Sequence, residues 1–436
     1  METIALLLDG LVIAFQPINL IVIIIGVIIG LFIGAMPGLG SVNGVAILLP
    51  MTFLVPPTSA IIFLAALYYG AMYGGAISSI MLGIPGASTA VATTFDGRPL
   101  ALKGKADKAL ITAAMASFIG GTISVLLFTG FAPMLAQIAL DFGDQEIFAL
   151  MLLAFATFVG LSGDDIPKTI FSICIGLVFS AVGLDIMSGE PRLVFFDIIG
   201  FMHGINFLVL AIGIYGIGEM MWTIESNRGD SVMSQAVISM SGILDSLRDM
   251  RRTWVAWTTG SLLGFFVGIL PAAGATPGSL MAYGVAKMTA KEPDKFGKGE
   301  VAGVVAPESA NNAASTGALL PMLTLGIPGS PTTAILLGGM VIWGLTPGPL
   351  LFVEQKEFVW GLIGSLYVAN LFALLINVAF IPMFLWFLKM PFTILAPIIF
   401  VLSLVGGYAP TQDMHDIWLM LIFGVGAYLL RKLDYP

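Results

Sequence analysis

The sequence predicts an all-α polytopic membrane protein, an inverted-topology repeat whose broken helices or re-entrant hairpins meet near the bilayer midplane, with about 10–12 membrane segments. Three observations carry this reading: an apolar composition, basic residues gathered into a few short loops, and a pair of Gly/Pro modules that occurs twice. Of the 436 residues 58% are hydrophobic and 10% charged, and the mean hydropathy is +1.01. Soluble domains carry about 25% charged residues, so a water-soluble enzyme is excluded. The apolar runs are continuous rather than alternating, which excludes a β-barrel. A net charge of −8 argues against nucleic-acid partners. Met1-Glu2-Thr3 lacks the basic start of a secretory signal, so the N-terminus reads as retained. The single cysteine, Cys174, reads as a buried small apolar residue.

The basic clusters assign the sides. Arg98, Lys103, Lys105 and Lys108 share one loop, Arg228, Arg248, Arg251 and Arg252 a second, Lys287, Lys291, Lys295 and Lys298 a third, and Arg431 with Lys432 close the chain. By the positive-inside rule all four are cytoplasmic. Apolar runs at 109–131, 147–161, 167–182 and 198–222 separate the first two clusters, and an even number of crossings returns the chain to the same side. After the third cluster the parities agree as well, with Lys356 alone on the far side.

The repeat is visible in residues 30–40, which align with 264–274 at a shift of 234 with five identities, among them Gly34 with Gly268, Pro37 with Pro271 and Gly40 with Gly274. Leu82-Gly-Ile-Pro-Gly86 is identical to Leu325-Gly-Ile-Pro-Gly329 at a shift of 243, which Gly74 with Gly317 and Thr89 with Thr332 also keep. The linker between the modules is uncharged in the first copy, residues 50–57, and carries four lysines in the second. Equivalent loops of opposite charge character point to opposite sides, hence an inverted repeat with the N-terminus periplasmic. The expected organisation is a first repeat, 1–225, with hairpin 18–50, broken helix 59–95 and plain spans 109–224. A cytoplasmic linker with an amphipathic segment follows over 226–252. The second repeat, 253–436, has hairpin 254–288, broken helix 300–345 and plain spans 358–430, one helix fewer than the first.

Breaks at Pro37, Pro85, Pro271 and Pro328 mark the expected site, because unpaired backbone at bilayer depth is tolerated only inside protein or beside a wet cavity. A proline opening a helix, followed by small hydroxyl residues, leaves N–H groups and positive helix-dipole ends for an anion. The candidate substrate-binding residues are Ser41 and Asn43, then Pro85, Gly86, Ser88 and Thr89, then Thr276, and finally Pro328, Gly329, Ser330, Thr332 and Thr333; Ser279 lies beside the third break. The run from Pro307 to Gly317 is the most polar stretch inside an apolar segment. Its Asn311, Asn312, Ser315 and Thr316, with unwound carbonyls near Gly40, Gly83 and Gly326, are candidate Na⁺ ligands, since hard oxygens suit that ion. The sequence leaves the depth of Glu308 open. His203 reads as a polar residue at the membrane edge, and Asp164 with Asp165 as helix-capping residues in a turn. No catalytic pair, transition-metal cluster or cofactor motif is seen.

The segments Gly34-Ala-Met-Pro-Gly-Leu-Gly40, Tyr69-Gly-Ala-Met-Tyr-Gly-Gly75, Leu82-Gly-Ile-Pro-Gly86, Asp96-Gly-Arg-Pro99, Gly183-Leu-Asp185, Pro307-Glu-Ser-Ala-Asn-Asn-Ala313 and Leu325-Gly-Ile-Pro-Gly-Ser-Pro331 closely resemble the large permease subunit of the tripartite tricarboxylate transporters. The resemblance implies a secondary transporter of the bacterial inner membrane that imports citrate or related carboxylates with Na⁺ or H⁺. It implies as partners a small four-helix membrane subunit and a periplasmic substrate-binding protein, besides membrane lipid. It also implies further chain beyond Pro436, in line with the missing helix, and a homodimer stays open. The other readings are an anion channel and a carrier for another small organic acid.

Overall fold

The computed structural model describes residues 2–36, 39–161, 166–185, 190–194, 198–225, 240–271, 273–387, 392–408 and 412–435. Pro37, Asp164, Asp165 and Arg228 lie outside the described residues. Nearly all described residues are helical. Among them five helices are long and apolar enough to cross a membrane: Pro17–Ala35, Pro57–Leu82, Ala106–Leu140, Lys356–Ala379 and Met414–Lys432. The protein is an all-α polytopic membrane protein.

One compact unit comprises residues 1–45, 52–149 and 228–391. Its principal helices are α1 (Glu2–Ala14), α2 (Pro17–Ala35), α3 (Gly40–Leu48), α4 (Pro57–Leu82), α5 (Val91–Leu102), α6 (Ala106–Leu140), α7 (Met240–Arg252), α8 (Trp254–Ile269), α9 (Ala275–Thr289), α10 (Ala302–Leu325), α11 (Pro331–Ile342) and α12 (Lys356–Ala379). Proline at the first helical position opens α2, α4 and α11, where its missing N–H costs nothing. Gly83 and Gly326 stop α4 and α10 in the left-handed region, at φ of 73° and 71°, which a side chain would strain.

Two glycine seams hold this unit together. A Cβ placed on Gly26, Gly30 or Gly34 of α2 would lie 2.6, 2.2 or 2.1 Å from the carbonyl oxygens of Phe63, Leu67 and Ala71 on α4. One placed on Gly260, Gly264 or Gly268 of α8 would lie 2.6, 2.2 or 2.3 Å from those of Ala306, Ala310 and Ala314 on α10. In the opposite direction Gly74 meets Leu31 and Gly317 meets Phe265, at 2.3 and 2.4 Å. Each contact maps onto its counterpart under the shifts of 234 and 243 read from the sequence. With lipid outside there is little hydrophobic gain from pairing helices, and small residues that admit close backbone approach take its place.

The break geometry corrects one expectation. Pro85 and Pro328 do not open helices: α5 begins at Val91 after a 3₁₀ turn at Ser88–Ala90, and α11 begins at Pro331 with Ser330 as its N-cap. Each proline instead sits in the coil after the left-handed glycine. Pro271 likewise lies in a turn, with α9 opening at Ala275. Residues 307–317 form continuous α-helix in α10, so their backbone carbonyls serve the helix and side-chain oxygens are what this run offers.

The second unit comprises residues 46–51, 150–227 and 392–436. It holds helices Ile166–Ser180, Phe392–Tyr408 and Met414–Lys432, and a further helical stretch from Phe207 to Glu225 that widens to π geometry over Ile212–Gly218. Gly183–Leu184 pairs antiparallel with Pro191–Arg192, and Asp185 bridges to Arg192 at 3.3 Å. Arg431 and Lys432 pair with Glu219 and Glu225. Cys174 is exposed, not buried. On an apolar membrane helix the outward face is as hydrophobic as the inner one, so apolar neighbours carried no information about burial. His203 is exposed at the end of a 3₁₀ turn.

Candidate functional site

The interrupted segments of the first unit come together. Ser41, in the first turn of α3, shares a hydrogen bond of 2.9 Å with Thr332 in the first turn of α11. Thr276, in the first turn of α9, donates to Ser88 at 3.2 Å, and Ser279 donates to the Thr89 carbonyl at 2.9 Å. The Gly274 N–H donates to the Gly329 carbonyl at 2.9 Å. Close approach again requires glycine: a Cβ on Gly86 would lie 1.9 Å from the Gly34 oxygen, and one on Gly329 would lie 2.6 Å from the Gly268 oxygen. Of the expected substrate ligands, Asn43 is buried in α3, and Thr89 has a buried hydroxyl with no hydrogen-bond partner among the described residues. Thr333 serves the local fold, since it and Ser330 cap α11 reciprocally, side chain to backbone N–H, at 2.9 and 3.2 Å. Tyr68 reaches the same cap, its hydroxyl 3.4 Å from that of Ser330.

The polar run of α10 is buried throughout, every residue from Gly303 to Thr324. Glu308 is fully buried and accepts hydrogen bonds from Thr93 of α5 and, at 2.9 Å, Ser117 of α6. Asn311 donates to the Met72 carbonyl at 3.3 Å and Asn312 to the Glu308 carbonyl at 3.1 Å, while the Oδ1 atoms of both are buried without a donor among the described residues. Ser315 and Thr316 are differently engaged. Ser315 donates to the Asn312 carbonyl at 2.7 Å, and Thr316 is held by Tyr69 and by Ser124 at 2.8 Å. Around them Tyr73 donates to Asn370 Oδ1 at 2.6 Å, and the Asn370 amide donates to Phe118 and Thr122, both at 3.0 Å.

Asp96 of α5 is a third polar centre. Its carboxylate accepts the backbone N–H groups of Gly297, Gly299 and Glu300 at 3.0, 2.7 and 2.7 Å, and the Tyr283 hydroxyl at 3.0 Å. Gly297 and Gly299 have φ of 81° and 95°, the conformation that turns successive N–H groups inward. On the same loop the Glu292 carboxylate beside Lys295 raises the lysine pKa above its usual value, though both are exposed and the pair adds little stability.

Residues 20–436 match the family described as the tripartite tricarboxylate transporter TctA family. The chain belongs to the TctA family. It is 35% identical over 433 residues, 99% of this chain and 86% of the relative, to an uncharacterized 52.8 kDa protein in the TAR-I ttuC' 3' region of Agrobacterium vitis. It is also 35% identical over 169 residues, 39% of this chain and 70% of the relative, to an uncharacterized protein in the TAR-II ttuC' 3' region of the same organism. No solved structure matches. As a TctA-family member the chain is a tripartite tricarboxylate transporter permease subunit and a multi-pass membrane protein.

Sequence reasoning missed the seam glycines Gly26 and Gly260 and the buried Asn370, and it noted Tyr69, Tyr73 and Asp96 within motifs without giving them a role. Gly26 and Gly260 obey the same shift of 234 and lie four residues before the aligned block, so extending that alignment finds them. The other side chains meet partners as far as 297 positions away, and no local pattern announces such pairs.

Proposed function

We propose that this permease imports a di- or tricarboxylate anion across the bacterial inner membrane, coupled to Na⁺ or H⁺. A periplasmic binding protein delivers the substrate, and a small four-helix membrane subunit completes the carrier. The observation that supports this is the meeting of the four interrupted segments through Ser41 with Thr332, Thr276 with Ser88, and Gly274 with Gly329. The openings of α3, α9 and α11 gather backbone N–H groups and hydroxyls in one region, and these suit carboxylate oxygens without a fixed cation. Charge explains the coupling. One net charge moved against the membrane potential costs about 2.3 kcal/mol per 100 mV, so a multivalent anion enters a negative cell only with compensating cations.

In this reading the two Gly/Pro modules lie upside down relative to each other in the membrane. The recurrence of seam and tip contacts at fixed sequence shifts supports descent from one module, and the swap of loop charge supports the inversion. Alternating access then moves the hairpin and broken helix of each copy against the plain spans.

The test is uptake of radiolabelled citrate and other carboxylates into proteoliposomes holding the permease with its small subunit and binding protein. Uptake driven by an inward Na⁺ or H⁺ gradient is expected. Flux indifferent to both gradients would instead indicate a channel, and no carboxylate flux under any gradient would remove the substrate class.

A further inference from the structure

We infer that Glu308, Asn311 and Asn312 of α10 form a Na⁺ site in which Glu308 supplies the countercharge. The inference rests on the coupled-carrier reading above and names the residues that hold its coupling ion. Glu308 is 0% exposed, and among the described residues its two oxygens accept only from neutral hydroxyl donors, Thr93 and Ser117. A carboxylate removed from water needs a cation close by, because hydroxyl dipoles alone do not offset the lost hydration.

Among the described residues no salt bridge reaches Glu308. On α4 the titratable neighbour is Tyr73, which donates to Asn370. On α5 Asp96 is engaged by the 297–300 loop and Arg98 donates to the Met81 carbonyl. On α6 Lys108 is paired with Asp249 at 2.5 Å. Helix α8 carries no charged residue, and on α9 Tyr283 faces Asp96 while Lys287 lies in the last turn.

Two orphaned oxygens accompany the carboxylate. Asn311 and Asn312 are 0% exposed, each with its amide nitrogen engaged and, among the described residues, no donor to its Oδ1. Spacings of three and four residues put both on the Glu308 face of the helix, within one turn of it. A carboxylate plus two amide oxygens is a hard, anionic donor set suited to a small alkali cation. A proton would neutralise Glu308 yet leave both amide oxygens unsatisfied, whereas a metal cation answers all three groups. The Ser315 hydroxyl already serves a carbonyl of its own helix, and that of Thr316 ties α10 to α4 and α6 through Tyr69 and Ser124, so neither is assigned to the ion.

The experiment is the melting temperature of the purified full chain across a NaCl series, with choline chloride holding ionic strength constant and KCl as a second control. A ligand bound by the folded state raises that temperature in a saturable way. The wild type is expected to show such a rise with Na⁺ and not with choline. Glu308→Gln, which preserves shape, should raise the half-saturating Na⁺ concentration by about tenfold or more, and Asn312→Ala by a smaller factor. Glu308→Gln should melt no lower than wild type without Na⁺, since it removes an uncompensated charge, which shows that the variant folds. An unchanged Na⁺ response in Glu308→Gln overturns the proposal, and so does stabilisation by acid alone with no Na⁺ effect. Melting with added carboxylate, run in parallel, separates the two readings: a Na⁺ shift without a carboxylate shift sinks the substrate assignment and leaves this site standing, and the reverse sinks this site alone.

Discussion

Ser41 and Thr332 are 291 residues apart and share one hydrogen bond, so each is a candidate donor to an incoming carboxylate. A hydrogen bond of this kind contributes about 0.5–1.5 kcal/mol, more when the acceptor is charged. Ser41→Ala and Thr332→Ala should each lower carboxylate uptake several-fold at subsaturating substrate, with unchanged yield of folded protein. The double variant should lose little more than the worse single one, because the partners act as a pair. Uptake equal to wild type in both singles would take these residues out of the site. Both were legible as small hydroxyls after a proline-glycine break. Thr333 was legible by the same pattern but is spent on capping α11, which only its geometry reveals. The depth of Glu308 was not legible, because the nearby Lys298 and Glu300 place it near a loop in sequence while the helix carries it into the interior.

At the scale of elements the glycine seams dominate. Gly30 and Gly264 pack their α-carbons against carbonyls on α4 and α10, and even a methyl group would lie 2.2 Å from backbone oxygen in both. Gly30→Ala and Gly264→Ala should therefore each destabilise by about 1–3 kcal/mol, and by similar amounts, since the contacts are equivalent. Gly130 of α6 is the control: among the described residues nothing lies within 4 Å of a Cβ there, so Gly130→Ala should leave stability unchanged or raise it by up to about 1 kcal/mol. Melting of purified variants in detergent measures all three, and equal tolerance of alanine at Gly30 and Gly130 would contradict the seam. The identical pentapeptides at 82–86 and 325–329 made the ends of α4 and α10 readable, because a left-handed cap demands glycine. The helix starts were misread, since a proline in an apolar chain marks a coil after a cap as readily as a first turn.

For the whole molecule the prediction concerns sidedness. In a Cys174→Ser background, Leu54→Cys and Lys291→Cys should react with a membrane-impermeant thiol reagent from opposite faces of oriented vesicles, the first periplasmic and the second cytoplasmic. Both native side chains are exposed. Labelling of both from one face would end the inverted arrangement. Composition alone settled that the chain lives in a bilayer, because too few charges exist to clothe it in water. What composition could not supply was the Asp96 clasp on residues 297–300, where a helix of the first copy fixes a loop of the second across about 200 positions of chain.

Under the proposed function, the pairing of Ser41 with Thr332 and of Thr276 with Ser88 means that a carboxylate would displace an existing hydrogen bond for each one it forms at these four hydroxyls. Its net gain there would be only the excess of a charge-assisted bond over a neutral one, so the same side chains would favour release as well as capture.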